Sequence, residues 1–206
     1  MAAVPRELLP ALEEEGLEAA APGRLGDRLD RVDGILAHLP DLSAIVSDVV
    51  AALHPLAAEP GYDISHSQPR WRSRIFVSFP ERDDEVGALR LAESVVHEAM
   101  HLHLTNEEAR TPLVAKSLEH SYSPWRGTAR AVGGVLHGMF VFVCIRTFLS
   151  RLEASSALGT DAIRHLRGRM ECINLEVHAV DVEGLVTSMT PYGVSQIRAW
   201  ARQGTT

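Results

Sequence analysis

The chain has 206 residues, 46% hydrophobic and 23% charged, with a formal net charge of -7 and a pI of about 5.8. That composition is ordinary for a globular protein long enough to enclose a developed core. Its acidity argues against a protein whose main task is gripping nucleic acid, which needs a cationic surface to release counterions. Cys144 and Cys172 sit in apolar helical contexts without a CxxC pairing, and the start of the chain lacks a signal-peptide pattern, so a reducing, cytoplasmic protein is expected. The longest apolar run, 131–149, is interrupted by His137 and Arg146 and dotted with glycine; it reads as a buried core helix, with no membrane partner expected.

From residue 6 to about 57, apolar residues recur at helical spacing, among them Leu25, Leu29, Val32, Ile35, Leu36 and Leu39, with breaks at Pro22-Gly23 and Pro40. Two or three short helices are predicted. Asp41 or Ser43 is expected to cap the helix carrying Ile45, Val46, Val49, Val50 and Leu53, which ends before Pro55. Residues 59–61 and 63–70 read as loop, and 72–79 as one strand stopped by Pro80, with few other strands expected.

Residues 86–104 predict a helix whose apolar band is wide enough to be buried on more than one side. A polar break at 105–108 and loops through Pro112 and 123–127 follow, with a short helix around 113–118. Thr128 is expected to cap a long helix to about 153, another runs from 160 or 161 to about 180, and a last one follows the Thr190-Pro191 start signal. The expected fold is mainly α with a minor β element: one domain, 1–206, with an N-terminal helical segment (1–60) and a catalytic core (72–206). The helices near 89–104 and 128–153 are expected to pack together and present a metal pocket between them.

The chemistry-bearing motif is His97-Glu98-Ala99-Met100-His101. Histidines at i and i+4 lie on one helical face, a turn apart, so both imidazoles can reach a single metal ion while Glu98 lies nearby. A chain with ten histidines can contain HExxH by chance. Against chance, Val95-Val96 before the motif and Ala99-Met100 within it make a helix poorly suited to solvent, and buried polar side chains need partners that a metal can supply.

A working metal site needs a third protein ligand and open positions. The glycine and third histidine of HExxHxxGxxH are missing, since the chain continues Leu102-His103-Leu104-Thr105-Asn106-Glu107. Glu119 and Glu153 are later carboxylates without supporting context. His137 is the stronger candidate, set among small residues midway along an apolar helix, beside the plainer reading of a hydrogen-bonded core histidine. His103 projects away from the face of His97 and His101, and His120, in or near a loop, stays a reserve ligand or substrate contact.

The ordered set of Val96-His97-Glu98-Ala99-Met100-His101, Tyr122-Ser123-Pro124-Trp125-Arg126 and Arg130-Ala131-Val132-Gly133-Gly134-Val135-Leu136-His137-Gly138 resembles the HExxH-type α-ketoglutarate-dependent peptide β-hydroxylases. These accompany pathways for ribosomally made, modified peptides. The likeness reaches back to Arg74-Ile75-Phe76-Val77-Ser78 and loosely forward to Met189-Thr190-Pro191-Tyr192-Gly193. It implies an enzyme using Fe(II), α-ketoglutarate and O2 to hydroxylate the β-carbon of an amino-acid side chain in a precursor peptide, with pathway enzymes as further partners. Carried onto this chain, His97, His101 and His137 hold the iron. Gly127-Thr128-Ala129 stands where an acidic, proline-containing stretch is more usual, and the N-terminal region is short for the family.

The distal carboxylate of α-ketoglutarate needs a cationic partner, for which the planar fork of arginine is suited. Arg126 and Arg130 are the candidates, near a helix N-terminus whose dipole also favours an anion; the alternative is two surface arginines. Tyr122 is a candidate hydrogen-bond donor to substrate or co-substrate, and Trp125 a core anchor.

Glu98 separates the competing mechanisms. In a zinc-dependent peptidase or amide hydrolase it is the general base that deprotonates a metal-bound water. In an iron oxygenase no such base is needed, and Glu98 orients a ligand, hydrogen-bonds the co-substrate or contacts the metal. A third reading is a non-catalytic metal- or peptide-binding protein that keeps the site for stability.

Overall fold

The computed structural model describes residues 3–21, 26–115 and 118–203. The expected break at Pro22-Gly23, Leu25, and the Lys116-Ser117 part of the expected short helix lie outside them. As the sequence predicts, the described fold is mainly helical with small sheets. The chain divides into two compact units, Met1–Leu102 with Arg151–His165, and His103–Ser150 with Leu166–Thr206.

In the first unit a 3-10 turn (Arg6–Leu8) leads into α1 (Leu9–Glu14), followed by α2 (Gly26–Leu36) and α3 (Pro40–Val49). α2 buries Val32, Ile35 and Leu36, the i, i+3, i+4 stripe read from the spacing. α3 starts at Pro40, with Leu39 at the cap position and no side-chain capping bond, which corrects the expected cap at Asp41 or Ser43. Proline pre-sets the first helical φ and has no N–H to satisfy there. Asp41 is instead taken by Arg151, whose Nη1 and Nη2 donate to its two oxygens at 2.7 Å each.

Pro55, expected only to stop a helix, lies within a strand. β1 (Ala52–Leu56), β2 (Ser65–His66) and β3 (Arg74–Ser78) make a sheet of order β1-β3-β2, with β1 parallel and β2 antiparallel to β3. Only the central strand β3 was legible, because Ile75, Phe76 and Val77 are fully buried and carry the β-branched and aromatic signal. β1 is an edge, where a missing N–H is tolerated, and β2 is too short to show a period. Leu12, Leu56, Trp71 and Phe76 form a core cluster that ties α1 to this sheet.

α4 (Glu85–Glu108) follows, its residues through Leu102 belonging to the first unit. Asp84 closes its first turn by accepting the Gly87 N–H at Oδ1, 2.9 Å away. The hydrogen bond from Arg82 holds the Asp84 carboxyl down to about 2. The helix runs on through 105–108, where the polar residues had predicted a break; extending an existing helix by one turn needs no new nucleus.

In the second unit β4 (His120–Ser123) and β5 (Thr128–Ala131) form an antiparallel hairpin where a loop and a Thr128 helix cap were expected. β5 is exposed throughout and β4 buries only the polar Ser123, so no apolar alternation marks them. The turn between them places Gly127 at φ 64°, with Arg126 and Gly127 both donating their N–H to Ser123 O.

α5 (Val132–Ser155) contributes its residues through Ser150, and α6 (Thr160–His178) those from Leu166. α5 is long and apolar enough to cross a membrane by length and composition alone, yet 56% of its most apolar window is buried inside the protein, in keeping with a core helix. A helix absent from the sequence reading, α7 (Val182–Val186), is capped by Asp181. α8 (Pro191–Gln203) begins as read: Thr190 Oγ1 accepts from Gly193 N at 3.0 Å, with Pro191 at the first position. Where a short helix was expected near 113–118, Val114 makes a β-bridge to Met189.

Candidate metal centre

α4 puts His97 and His101 on one face, a turn apart, as their spacing requires; the ring centroids are 4.9 Å apart and inclined at 61°. Both side chains are half-buried, whereas Glu98 is 4% exposed. The buried carboxylate is held at both oxygens: Ser65 Oγ donates to Oε1 and Ser67 Oγ to Oε2, each at 2.6 Å. Alternation along an extended chain puts Ser65 and Ser67 on the same face, two residues apart, so one carboxylate can span both hydroxyls. The register of β2 on β3, Ser65 opposite Val77 and His66 opposite Phe76, fixes that segment beside the core. His97 Nε2 lies 3.9 Å from Glu98 Oε1, beyond hydrogen-bonding distance.

Neither serine was identified from the sequence. The Ser65-His66-Ser67 alternation is present in it, but nothing local connects that polar run to a helix some thirty residues on. Sequence distance hides the partnership, since a carboxylate so deeply buried had to find donors somewhere.

The remaining predicted residues belong to the second unit. His137 lies on α5, and its Nε2 is 2.6 Å from Oε2 of Glu108, the last residue of α4. The two side chains keep 20% and 25% of their exposure, so the pair is largely shielded. Glu108, assigned from the sequence to a polar break, is a third residue the sequence reading missed, after the two serines. Glu119, the carboxylate without supporting context, accepts a hydrogen bond from the Ser188 hydroxyl, and the reserve ligand His120 is exposed with Nδ1 3.1 Å from Leu118 O.

Tyr122 sits on β4 and is 56% exposed; Arg126 lies in the hairpin turn and Arg130 on β5, both exposed. Neither guanidinium makes a hydrogen bond or ion pair among the described residues. Arg130 instead folds over the start of α5, where a Cβ on Gly134 would stand 3.4 Å from its Cζ. Trp125 is the anchor the sequence suggested. It stacks on Phe142 with centroids 5.2 Å apart and planes within 10°, and a Cβ at Gly138 would lie only 2.8 Å from its ring. The tryptophan of one motif and the glycine of another are therefore parts of one packing contact. Trp125 Nε1 and Ser123 Oγ are buried without a hydrogen-bond partner among the described residues.

The donor types suit iron and zinc alike, because imidazole is a good ligand for both. The structure brings two of the expected donors together, His97 and His101, with Glu98 beside them but engaged by hydroxyls. Among the described residues no cluster of three or more histidine, cysteine or carboxylate side chains is arranged to hold an ion. Neither a family model nor a curated protein matches the chain.

Proposed function

We propose that the chain is a cytoplasmic Fe(II)- and α-ketoglutarate-dependent oxygenase that hydroxylates the β-carbon of an amino-acid side chain in a ribosomally made peptide. The motif resemblance supplies the reaction. The observation that favours it over hydrolysis is the state of Glu98, whose two oxygens each accept a hydroxyl at 2.6 Å in a buried setting. A hydrolytic base directs an oxygen at the water it deprotonates; here each oxygen already accepts a hydroxyl, which supports a role for Glu98 in fixing the helix turn from which His97 and His101 project.

In this reading His97, His101 and His137 are the iron ligands. Iron held there would supply, with α-ketoglutarate and O2, the chemistry that places one oxygen atom of O2 in a C–H bond and the other in succinate as the co-substrate loses CO2. The chain's own residues position and shield. The uncommitted guanidinium of Arg126 or Arg130 receives the distal carboxylate of the co-substrate through a two-pronged, charge-assisted contact. The exposed Tyr122 hydroxyl donates to substrate or co-substrate, and Trp125 fixes the hairpin that carries these three residues.

The alternative, a zinc-dependent peptidase or amide hydrolase, is favoured by the HExxH pattern itself and by the nearness of Glu98 to His97. One experiment separates them. The purified protein is incubated with a precursor peptide encoded alongside it, Fe(II), ascorbate and α-ketoglutarate, while peptide mass and succinate are followed. A gain of one oxygen atom that depends on α-ketoglutarate is expected; peptide cleavage with zinc in the absence of oxygen would refute the oxygenase.

A further inference from the structure

The second unit contains a cavity of about 390 Å³ whose lining includes His103, Glu107, Phe140, Tyr192, Gln196 and Trp200. Its walls are aromatic. Phe140 and Trp200 have centroids 5.1 Å apart and planes at 53°, and His103 stacks on Phe140 at 6.3 Å and 23°. Trp200 is 8% exposed, whereas Tyr192 is 47% exposed at the mouth.

The polar groups around it include acceptors that a donor-rich ligand can meet: the Glu107 carboxylate and the Gln196 amide oxygen. Among the described residues the Glu107 carboxylate accepts from Arg110, at 2.9 Å through Oε1, in an exposed i,i+3 pair of the kind that holds weakly in water. Neither the Gln196 amide nor the Tyr192 hydroxyl makes a hydrogen bond among the described residues. Among the described residues no lysine or arginine lines the cavity.

Ring faces carry negative potential and attract cations, and a planar guanidinium both stacks on such faces and presents a fork of donors to a carboxylate. A compact ammonium lacks the plane, and a carboxylate ligand would meet Glu107 with like charge. We propose that this cavity binds the side chain of an arginine residue, the guanidinium lying against Phe140 and Trp200 and donating to Glu107 and the Gln196 carbonyl. The volume falls within the usual range for a small-ligand site, about 300–1,000 Å³. The assignment needs neither metal nor co-substrate, so it stands or falls separately from the oxygenase reading.

The test is a titration of the 15N-labelled full chain with Nα-acetyl-arginine amide, following the indole N–H signal of Trp200, identified by its loss in W200F. Nα-acetyl-citrulline amide, of the same shape without the charge, is the comparison ligand. A saturable shift is expected, with citrulline amide weaker by about fivefold or more, the size of one modest cation–π or charged contact. E107Q should weaken arginine amide by a similar factor and leave citrulline amide unchanged. Equal binding of the two amides, indifference to E107Q, or shifts confined to the acidic cavity around Glu18, Glu59 and Asp63 in the first unit would each overturn the proposal.

Discussion

Glu108 and His137 meet at 2.6 Å, carboxylate Oε2 to imidazole Nε2, in a pair that retains a quarter or less of its exposure on either side. A carboxylate on one ring nitrogen sets the orientation and tautomer of a histidine, and it does the same for histidines that ligate metals.

If His137 ligates iron as proposed, Glu108→Gln should weaken Fe(II) binding by about 10-fold or more, and His137→Ala should remove it. Anaerobic calorimetry with Fe(II) reads both directly. Unchanged affinity in H137A would discard the third ligand, and unchanged affinity in E108Q alone would reduce Glu108 to a structural partner.

The clamp on Glu98 predicts a stability effect that needs no substrate. Ser65→Ala or Ser67→Ala removes one hydrogen bond to a buried carboxylate and should cost about 1.5–3 kcal/mol in urea unfolding. The double variant should lose more, because the charge is then left without either donor, and adding Glu98→Gln should recover part of the loss. In the oxygenase reading E98Q retains hydroxylation at reduced stability; complete loss of turnover with metal binding intact would return Glu98 to the role of base.

Gly138→Ala places a methyl group 2.8 Å from the Trp125 ring, itself pinned on Phe142. The alanine gains roughly 1 kcal/mol of helix propensity but meets overpacking of about 1–3 kcal/mol, so a net destabilisation of up to about 2 kcal/mol is expected. Combining it with Trp125→Leu tests the cause. The pair of substitutions should cost less than the sum of the two alone, and strict additivity would show that the contact is not what excludes a side chain at 138.

The Asp41 carboxyl is held down to about 2 by the two-pronged hydrogen bond from Arg151. A depressed carboxylate pKa means that its contribution is complete above the unfolded-state value of about 4 and is lost as pH falls toward 2. Asp41→Asn should therefore lower the thermal midpoint slightly near neutral pH, with the gap to the parent closing between about pH 4 and pH 2. Both residues are solvent-exposed, so salt should shrink the gap as well. A difference that persists below pH 2 would point to packing instead of charge.

What the sequence determined by itself is whatever depends on neighbours a few residues apart. The i, i+4 placement of His97 and His101, the apolar helices around them, the β3 signal and the Thr190-Pro191 helix start all follow from local periodicity and capping chemistry. The tertiary structure decided the rest, because burial and pairing join residues that the chain separates. An exposed hairpin at 120–131 has no apolar alternation to announce it, and an edge strand can contain Pro55 only once a sheet exists to have an edge. The engagement of Glu98 by Ser65 and Ser67, and of His137 by Glu108, was equally unreadable. A buried polar group demands a partner, but only the folded chain decides which one it meets.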